Sequence, residues 1–387
     1  MSDRVDLLIL GGGCAGLALG RELARRDAGL SVQIVEPRTQ YEEDRTWCFW
    51  QRSDTPDCGP VAARWTRWQI SDSSAARQHA GEEWHYAMVR AGTYYDATGD
   101  AISASPSISL QSGTRAGRIR GDDRGARVET DAGTILARWV VDTRPPDAAR
   151  LASAPIAQVF SGVEVETRED RFDPATALVM DRLRGDASQV AFDYVLPLGP
   201  RRALIEHTVF SARPLAPKTL DNACNAEVTR RAGPTARMIR RERGWLPMGL
   251  PEGPRVQGPI IAAGTGAGAL RASSGYGFRR IQAWAGKCAD ELAAGRAPIP
   301  QPADPLFRRL MDRIFLDGLA RQPIEGPAMF MALADTLSAD GFARFMSDKA
   351  TPQDWAHTVL ALPKRPFLSA ALRQVLHRRS GPELARC

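Results

Sequence analysis

The chain has little lysine, no paired cysteines and no long apolar run. Its six cysteines (Cys14, Cys48, Cys58, Cys224, Cys288 and Cys387) form no CxxC pair and share no ligand spacing with the five histidines (His79, His85, His207, His357 and His377). That argues against a metal site and a disulfide framework, and suits reduced cytoplasmic thiols. The most apolar stretches, residues 7–19 and 260–270, are too short and too rich in glycine to span a bilayer. Residues 7–19 imitate the hydrophobic part of a signal peptide, but cleavage there would destroy the glycine motif described next, so the expectation is a soluble or monotopic protein. Lysine is confined to Lys218, Lys287, Lys349 and Lys364, and the net charge of +6 rests on dispersed arginines. No basic run interleaved with aromatics appears, which argues against a nucleic-acid surface. A mild attraction to anionic membranes is compatible with this charge. Internal repeats and low-complexity tracts are also missing. What remains is a globular composition, 43% apolar and 25% charged over 387 residues, enough for about two or three domains.

The organising stretch is residues 6–36, DLLILGGGCAGLALGRELARRDAGLSVQIVE. Val5 and Leu7 to Leu10 read as a buried parallel strand, residues 17–26 as a returning helix, and residues 31–35 as a second strand. In the turn between them Gly11 allows a sharp bend, Gly13 lets backbone N–H groups approach a pyrophosphate, and Gly16 lets helix pack on strand. Ala15 belongs to the same turn, and Glu36 closes the second strand where a ribose hydroxyl would lie. This is a dinucleotide fingerprint in its βαβ context. Its position close to the N-terminus favours the ADP half of an FAD site.

Residues 37–51, PRTQYEEDRTWCFWQ, follow, with Arg45 placed to bridge a cofactor and Trp47, Phe49 and Trp50 to line what lies beyond it, or else to anchor a surface turn. The segment to Arg90 is poorly periodic, with Trp65, Trp68 and Trp84 as core. Residues 107–110, 124–130 and 134–141 alternate as strands, and Arg144-Pro145-Pro146 marks a boundary. A second β-rich region spans residues 157–166, 177–181, 190–198 and 203–211, the last two forming a hairpin that turns at Gly199-Pro200. Its alternation places Leu204, Glu206, Thr208 and Phe210 on one face and His207 on the other. Glu206 and His207 are the ionisable groups best placed for burial in a sheet, each as a satisfied core group or as a functional one.

Residues 220–242 read as an arginine-rich helix, and 259–263 as another buried strand. The run GTGAGALRASSGYGFRRIQ then repeats the device of strand, glycine turn and helix, with Gly264, Gly266, Gly268, Ser274 and Gly275 as its turn residues. Two such turns suit one extended cofactor, and FAD fits. From residue 303 the pattern is helical, over 306–319, 329–337, 341–346, 354–362 and 366–377. The first of these stripes suits either a core face or a basic amphipathic helix lying in a membrane surface. The resulting division is 1–150 and 256–300 for the nucleotide, 151–255 for a β-rich substrate region, and 301–387 for a helical cap.

Taken together, LLILGGGCAGLALG, EDRTWCFW at 43–50, DYVLPL, LIEHTVFS at 204–211, GALRASSGYGFRRIQ at 268–282, ARFMSD and ALPKRPFLSA resemble the bacterial lycopene β-cyclases. Two departures stand out: Glu43, where many members carry aspartate, and Thr265 after Gly264, where flavoproteins at large often have Gly-Asp. The resemblance implies an α/β fold: a Rossmann-like FAD-binding domain of the hydroxybenzoate-hydroxylase and geranylgeranyl-reductase type, a β-sheet substrate domain and a helical C-terminal cap. It further implies reduced FAD with NAD(P)H as reductant, and a peripheral position on the cytoplasmic side of the bacterial membrane. The reaction implied is redox-neutral closure of β-ionone rings on lycopene or other linear carotenoids, with Glu206 matching the family's catalytic acid.

The chemistry asks for the same parts. A proton on an alkene carbon gives a tertiary cation that attacks the neighbouring double bond, and a base then removes a ring proton. Water would quench the cation, so the site must be dry, and burial there raises a carboxyl's pKa. Glu206 reads as that acid, or as the anion that stabilises the cation if reduced flavin delivers the proton. Trp47, Phe49, Tyr194, Phe210 and Tyr276 are assigned to the substrate lining, and no residue to a metal. Rival readings on this scaffold are a redox flavoenzyme acting on an isoprenoid and a non-catalytic prenyl-binding protein.

Overall fold

The computed structural model describes residues 4–365 except 214, together with 367, 369, 370 and 373. The expected C-terminal helix at 366–377 and Cys387 therefore fall largely or wholly outside the described residues.

Three sheets organise the chain. In the first, Val5–Leu10 pairs in parallel with Val32–Glu36 on one side and Gly133–Asp142 on the other, and Ile108–Ser112 and Ile260–Ala262 extend it. The central strand is buried throughout residues 7–10, as a parallel strand covered on both faces must be. The helices Cys14–Arg26, Ala91–Ser103 and Phe278–Ala293 cover it. Both glycine turns thus lie at the carboxyl ends of parallel strands, Val5–Leu10 and Ile260–Ala262, that flank Gly133–Asp142, where open α/β sheets form their ligand crevice.

The second sheet has seven strands in the order Arg237–Met248, Ile156–Glu166, Arg202–Ser211, Gln189–Gly199, Thr176–Gly185, Arg67–Asp72 and Ala76–Ala80. The hairpin turning at Gly199-Pro200 forms as its alternation requires. Residues 67–80 join this sheet rather than the nucleotide layer. The third sheet, Thr46–Arg52, Trp84–Arg90 and Val61–Trp65, sits between the other two. Trp65, Trp68 and Trp84 are buried. The helices Leu306–Arg321, Gly326–Thr336, Ala339–Met346 and Pro352–Ala361 close the far side of the second sheet over a Phe-, Met- and Trp-rich core.

One expected element is corrected. Residues 220–242 are not a single helix: the helix Pro217–Ala232 stops at Gly233, whose φ is +83°, with Pro234 next, and Arg237–Met248 is a strand. Proline cannot continue the helix hydrogen-bond pattern and glycine readily takes the left-handed turn. The arginines expected on a helix's solvent face instead reach acidic partners in the sheet and the preceding helix: Arg237 pairs with Glu166, Arg240 with Glu164 and Glu242, and Arg241 with Asp221.

Candidate active site

One cavity of about 1130 Å³ runs from the glycine turns to the second sheet. At its nucleotide end Gly11 takes φ +97° and Gly264 φ +72°, backbone that glycine alone adopts freely. A side chain at Gly13 would meet no protein atom within 4 Å, and one at Gly264 would lie 3.2 Å from the Cβ of Ala15, so the two turns meet across the crevice. Gly16 lies behind this surface. Its Cβ would fall 1.9 Å from the carbonyl oxygen of Gly11, which is the helix-to-strand contact expected of it. The helices Cys14–Arg26 and Phe278–Ala293 both begin at glycines with no side-chain cap, leaving backbone N–H donors at the cavity for an anionic group. These features fit an extended dinucleotide.

Glu36 is buried at the end of its strand. Its carboxylate accepts from the N–H of Gly12 (2.6 Å) and from the N–H and Nε of Arg38 (3.0 and 2.7 Å). Burial raises its pKa, but Arg38 and the backbone donors outweigh it and hold the group below the usual carboxylate range. Arg45 pairs with Asp44 at 2.6 Å, half exposed at the cavity wall. Gly11, Gly13, Ala15, Glu36, Arg45, Gly264, Gly266, Ser274 and Gly275 all line the cavity, whereas Gly268 does not: the Cβ position at Gly268, where φ is +86°, is nearest Arg255.

At the other end stands a row of side chains set by strand register. Tyr194 is opposite Glu206, Glu206 is opposite Gly162, and Gly162 is opposite Glu242, on four neighbouring strands. Directly opposed residues share a face, so Tyr194, Glu206 and Glu242 face one way, into the cavity that all three line. Gly162 makes room for them: a Cβ there would sit 3.1 Å from Cγ of Glu242 and 3.5 Å from Cβ of Glu206.

Glu206 is 9% exposed, and its Oε1 accepts from the hydroxyl of Thr208 at 2.6 Å. Burial, reinforced by the charge of Glu242, raises its pKa to about 8, so it holds a proton at neutral pH. Glu242 is 3% exposed; its Oε2 accepts from Thr46 at 2.8 Å and pairs with Arg240. Burial raises its pKa too, opposed there by Arg240 and Thr46. Burial keeps the phenols of Tyr86, Tyr194 and Tyr276 neutral. His207 points to the other face, where Nδ1 lies 2.8 Å from Asp193, a structural pair. Glu242 escaped the sequence reading because it was placed in a helix; the Gly233-Pro234 stop inside that expected helix was the available signal.

Of the expected lining residues, Trp47, Tyr194 and Tyr276 line the cavity. Phe210 lines an adjoining apolar pocket under the C-terminal helices, which shares Gln158, Tyr194, Ser274 and Tyr276 with the main cavity. Phe49 is a correction: it lines neither space, being 4% exposed and stacked on Phe278 at 5.3 Å in the nucleotide-side core. Among the described residues no cluster of potential ligands could hold a metal ion.

The fold resembles a geranylgeranyl bacteriochlorophyll reductase-like protein of Thermoplasma acidophilum, with a TM-score of 0.60 and 13% identity over 96% of this chain and 99% of that one. It also resembles the flavin-dependent monooxygenase PieE, solved with FAD and substrate, with a TM-score of 0.59 and 15% identity over 96% and 72%. It is thus the mixed α/β fold of FAD-dependent monooxygenases and reductases with a helical C-terminal region. In sequence the chain is 28% identical to a lycopene beta-cyclase of Paracoccus sp., a match covering 63% of this chain and 61% of that protein. It is 28% identical to a lycopene beta cyclase of Synechococcus elongatus over 75% of this chain and 72% of that one. The profile of the lycopene cyclase protein family matches residues 6–372, and the chain belongs to that family.

Proposed function

We propose that this protein closes β-ionone rings on the linear ends of lycopene, by way of a singly cyclised intermediate, without net oxidation or reduction. The observation that carries this reading is Glu206: a buried carboxyl on a strand, pushed toward its protonated form by desolvation and facing a cavity continuous with both glycine turns. Glu206 donates its proton to a terminal alkene carbon. The tertiary cation so formed is attacked by the neighbouring double bond, and loss of a ring proton to a base leaves an isomer of the substrate. Trp47, Tyr194 and Tyr276 exclude water from the cation, and the adjoining apolar pocket with Phe210 suits the rest of the polyene.

FAD is the cofactor the fold suggests, and the residues named at the two turns fit it. When bound in its reduced form, with NAD(P)H as the ultimate reductant, it supplies an electron-rich ring that stabilises positive charge. An insoluble substrate supports a peripheral position on a membrane, which we assign to its cytoplasmic face. Exposed Leu306, Phe307 and Leu360 on the helical layer support that position, and among the described residues no helix is long and apolar enough to cross.

The test is a host that accumulates lycopene. The wild-type chain should turn red cells orange-yellow with products of unchanged mass. Glu206→Gln should retain FAD and lose at least about 100-fold in activity, the scale of a lost general acid. A product heavier by two hydrogens or one oxygen, or a fully active Glu206→Gln, would overturn the proposal.

A further inference from the structure

Ring closure by this route needs a base as well as an acid, and both must reach one ring: the carbon that gains a proton and the carbon that loses one are close neighbours in it. The row across the second sheet offers two carboxyls to a single space. Glu206 and Glu242 stand on strands separated only by the strand that carries Gly162, with backbones roughly 10 Å apart by ordinary strand spacing. Because Gly162 has no side chain, nothing stands between them from that strand.

The two differ in what holds them. The Oε2 of Glu242 is fixed by Thr46 and Arg240, while Oε1 carries no protein hydrogen bond and is not sealed off. The Oε1 of Glu206 accepts from Thr208, and its Oε2 is likewise free. Each carboxyl therefore keeps one oxygen for the cavity. A single proton shared by the pair belongs on Glu206, because the guanidinium of Arg240 is paired directly with Glu242 and favours the anion there. Of the other groups near this end, the tyrosines and the buried Cys48 thiol are neutral, His207 faces away, Glu36 is bound by Arg38 beside the nucleotide turn, and Glu43, whose charge acts on Glu242, does not line the cavity.

Resting on the cyclase reading above, we infer that Glu242 is the base that takes the ring proton after closure, and so sets the position of the ring double bond. The step balances. The Glu206 carboxylic acid gives its proton to the alkene carbon and becomes carboxylate; the ring carbon–carbon bond forms; Glu242 carboxylate accepts the proton, and the C–H electrons become the ring double bond. A proton passed from Glu242 to Glu206 restores the start, with no oxidant or reductant consumed. The closed-ring cation has three adjacent carbons that can lose a proton, and only a fixed base chooses among them.

The test compares Glu242→Gln with Glu206→Gln in holoenzyme carrying reduced FAD, supplied with lycopene in phospholipid vesicles made up in D₂O. Glu242→Gln retains Arg240's bond to Glu164 at 2.8 Å, so FAD content and melting temperature should stay near wild type. Formation of the β-ring should fall about 100-fold, with isomers whose ring double bond lies at the neighbouring positions. Residual cyclic product should still carry one deuterium per ring, at the carbon that the acid protonates. Wild-type rate and product from Glu242→Gln, or residual product that is the β-ring alone, overturns the assignment. Either result strikes the base alone so long as Glu206→Gln is inactive; an active Glu206→Gln strikes the cyclase reading itself.

Discussion

Glu164 and Glu206 lie on adjacent strands of the same sheet and face the same way, yet burial leaves them in opposite protonation states. Glu164 is 0% exposed and pairs with Arg90, Arg202 and Arg240; these partners outweigh desolvation and hold it below the usual carboxylate range. Glu206, at 9% exposed, has one hydroxyl for a partner and a second carboxyl nearby, and is raised. Desolvation supplies the upward pressure in both, and only Glu164 has cations enough to outweigh it. The sheet thus carries a structural anion and a proton donor on adjacent strands, with Arg240 and Glu242 on the edge strand beside Glu164.

The largest break in this comparison should come from Glu164→Gln. It strips Arg90, which ties the sheet to the third sheet, of its acidic partner, takes one from Arg202, and leaves Arg240 on the edge strand with Glu242 alone. Losing one partner of a buried ion cluster costs about 3–5 kcal/mol, read as a lowered denaturation midpoint. A loss no larger than that of a surface substitution would mean that the arginines are satisfied by water instead.

Glu206→Gln should behave in the opposite sense, and the difference should depend on pH. Folded Glu206 keeps a proton that the unfolded chain releases, between its ordinary 4.5 and about 8. The native state therefore binds more protons than the unfolded state across that window, and wild-type stability contributed by this group falls as pH rises through it. Glutamine does not titrate. The melting temperature of Glu206→Gln relative to wild type should thus climb across the window and level off above it; a constant difference would show that Glu206 is ionised throughout. Glu164 contributes with the reverse sign, its stabilisation being lost as acid protonates it.

Much of this architecture was legible in the sequence because its signals are local. The spacing of Gly11, Gly13 and Gly16, the alternation of residues 203–211 and the hairpin at Gly199-Pro200 each state their own geometry; parity set Glu206 and His207 on opposite faces, while the catalytic role of Glu206 came from the family resemblance. The strands between Thr46 and Arg90 were not legible, because they divide between two sheets and pair with residues far along the chain. The strand Arg237–Met248 was hidden for a different reason. Arg237, Arg240 and Arg241 look like a solvated helix face until Glu166, Glu164 and Asp221 are brought to them by the fold. Glu242 went unnoticed with them, although its neighbour across Gly162 had been found. Phe49 was assigned to the lining with Trp47 as part of one aromatic cluster; Phe278 draws it into the core instead.

The finest test of the comparison alters neither carboxyl. Gly162→Ala adds one methyl group between them, 3.1 Å from Cγ of Glu242, 3.4 Å from Leu204 and 3.5 Å from Cβ of Glu206. Alanine also restricts the unfolded chain more than glycine, which favours the variant by about 0.5–1 kcal/mol and offsets much of the crowding. Stability should therefore shift by no more than about 1 kcal/mol. The crowding falls mainly on Glu242, whose carboxylate is tethered by Arg240 and Thr46, so the stem must bend away from Glu206. Part of what raises Glu206 is the charge of Glu242, and with that charge more distant its pKa should fall. The alkaline limb of the pH–activity profile should then move toward lower pH while the melting temperature barely changes. An alkaline limb that stays where it is, in a folded and FAD-loaded variant, would mean that desolvation alone holds the proton on Glu206 and that the two carboxyls act independently.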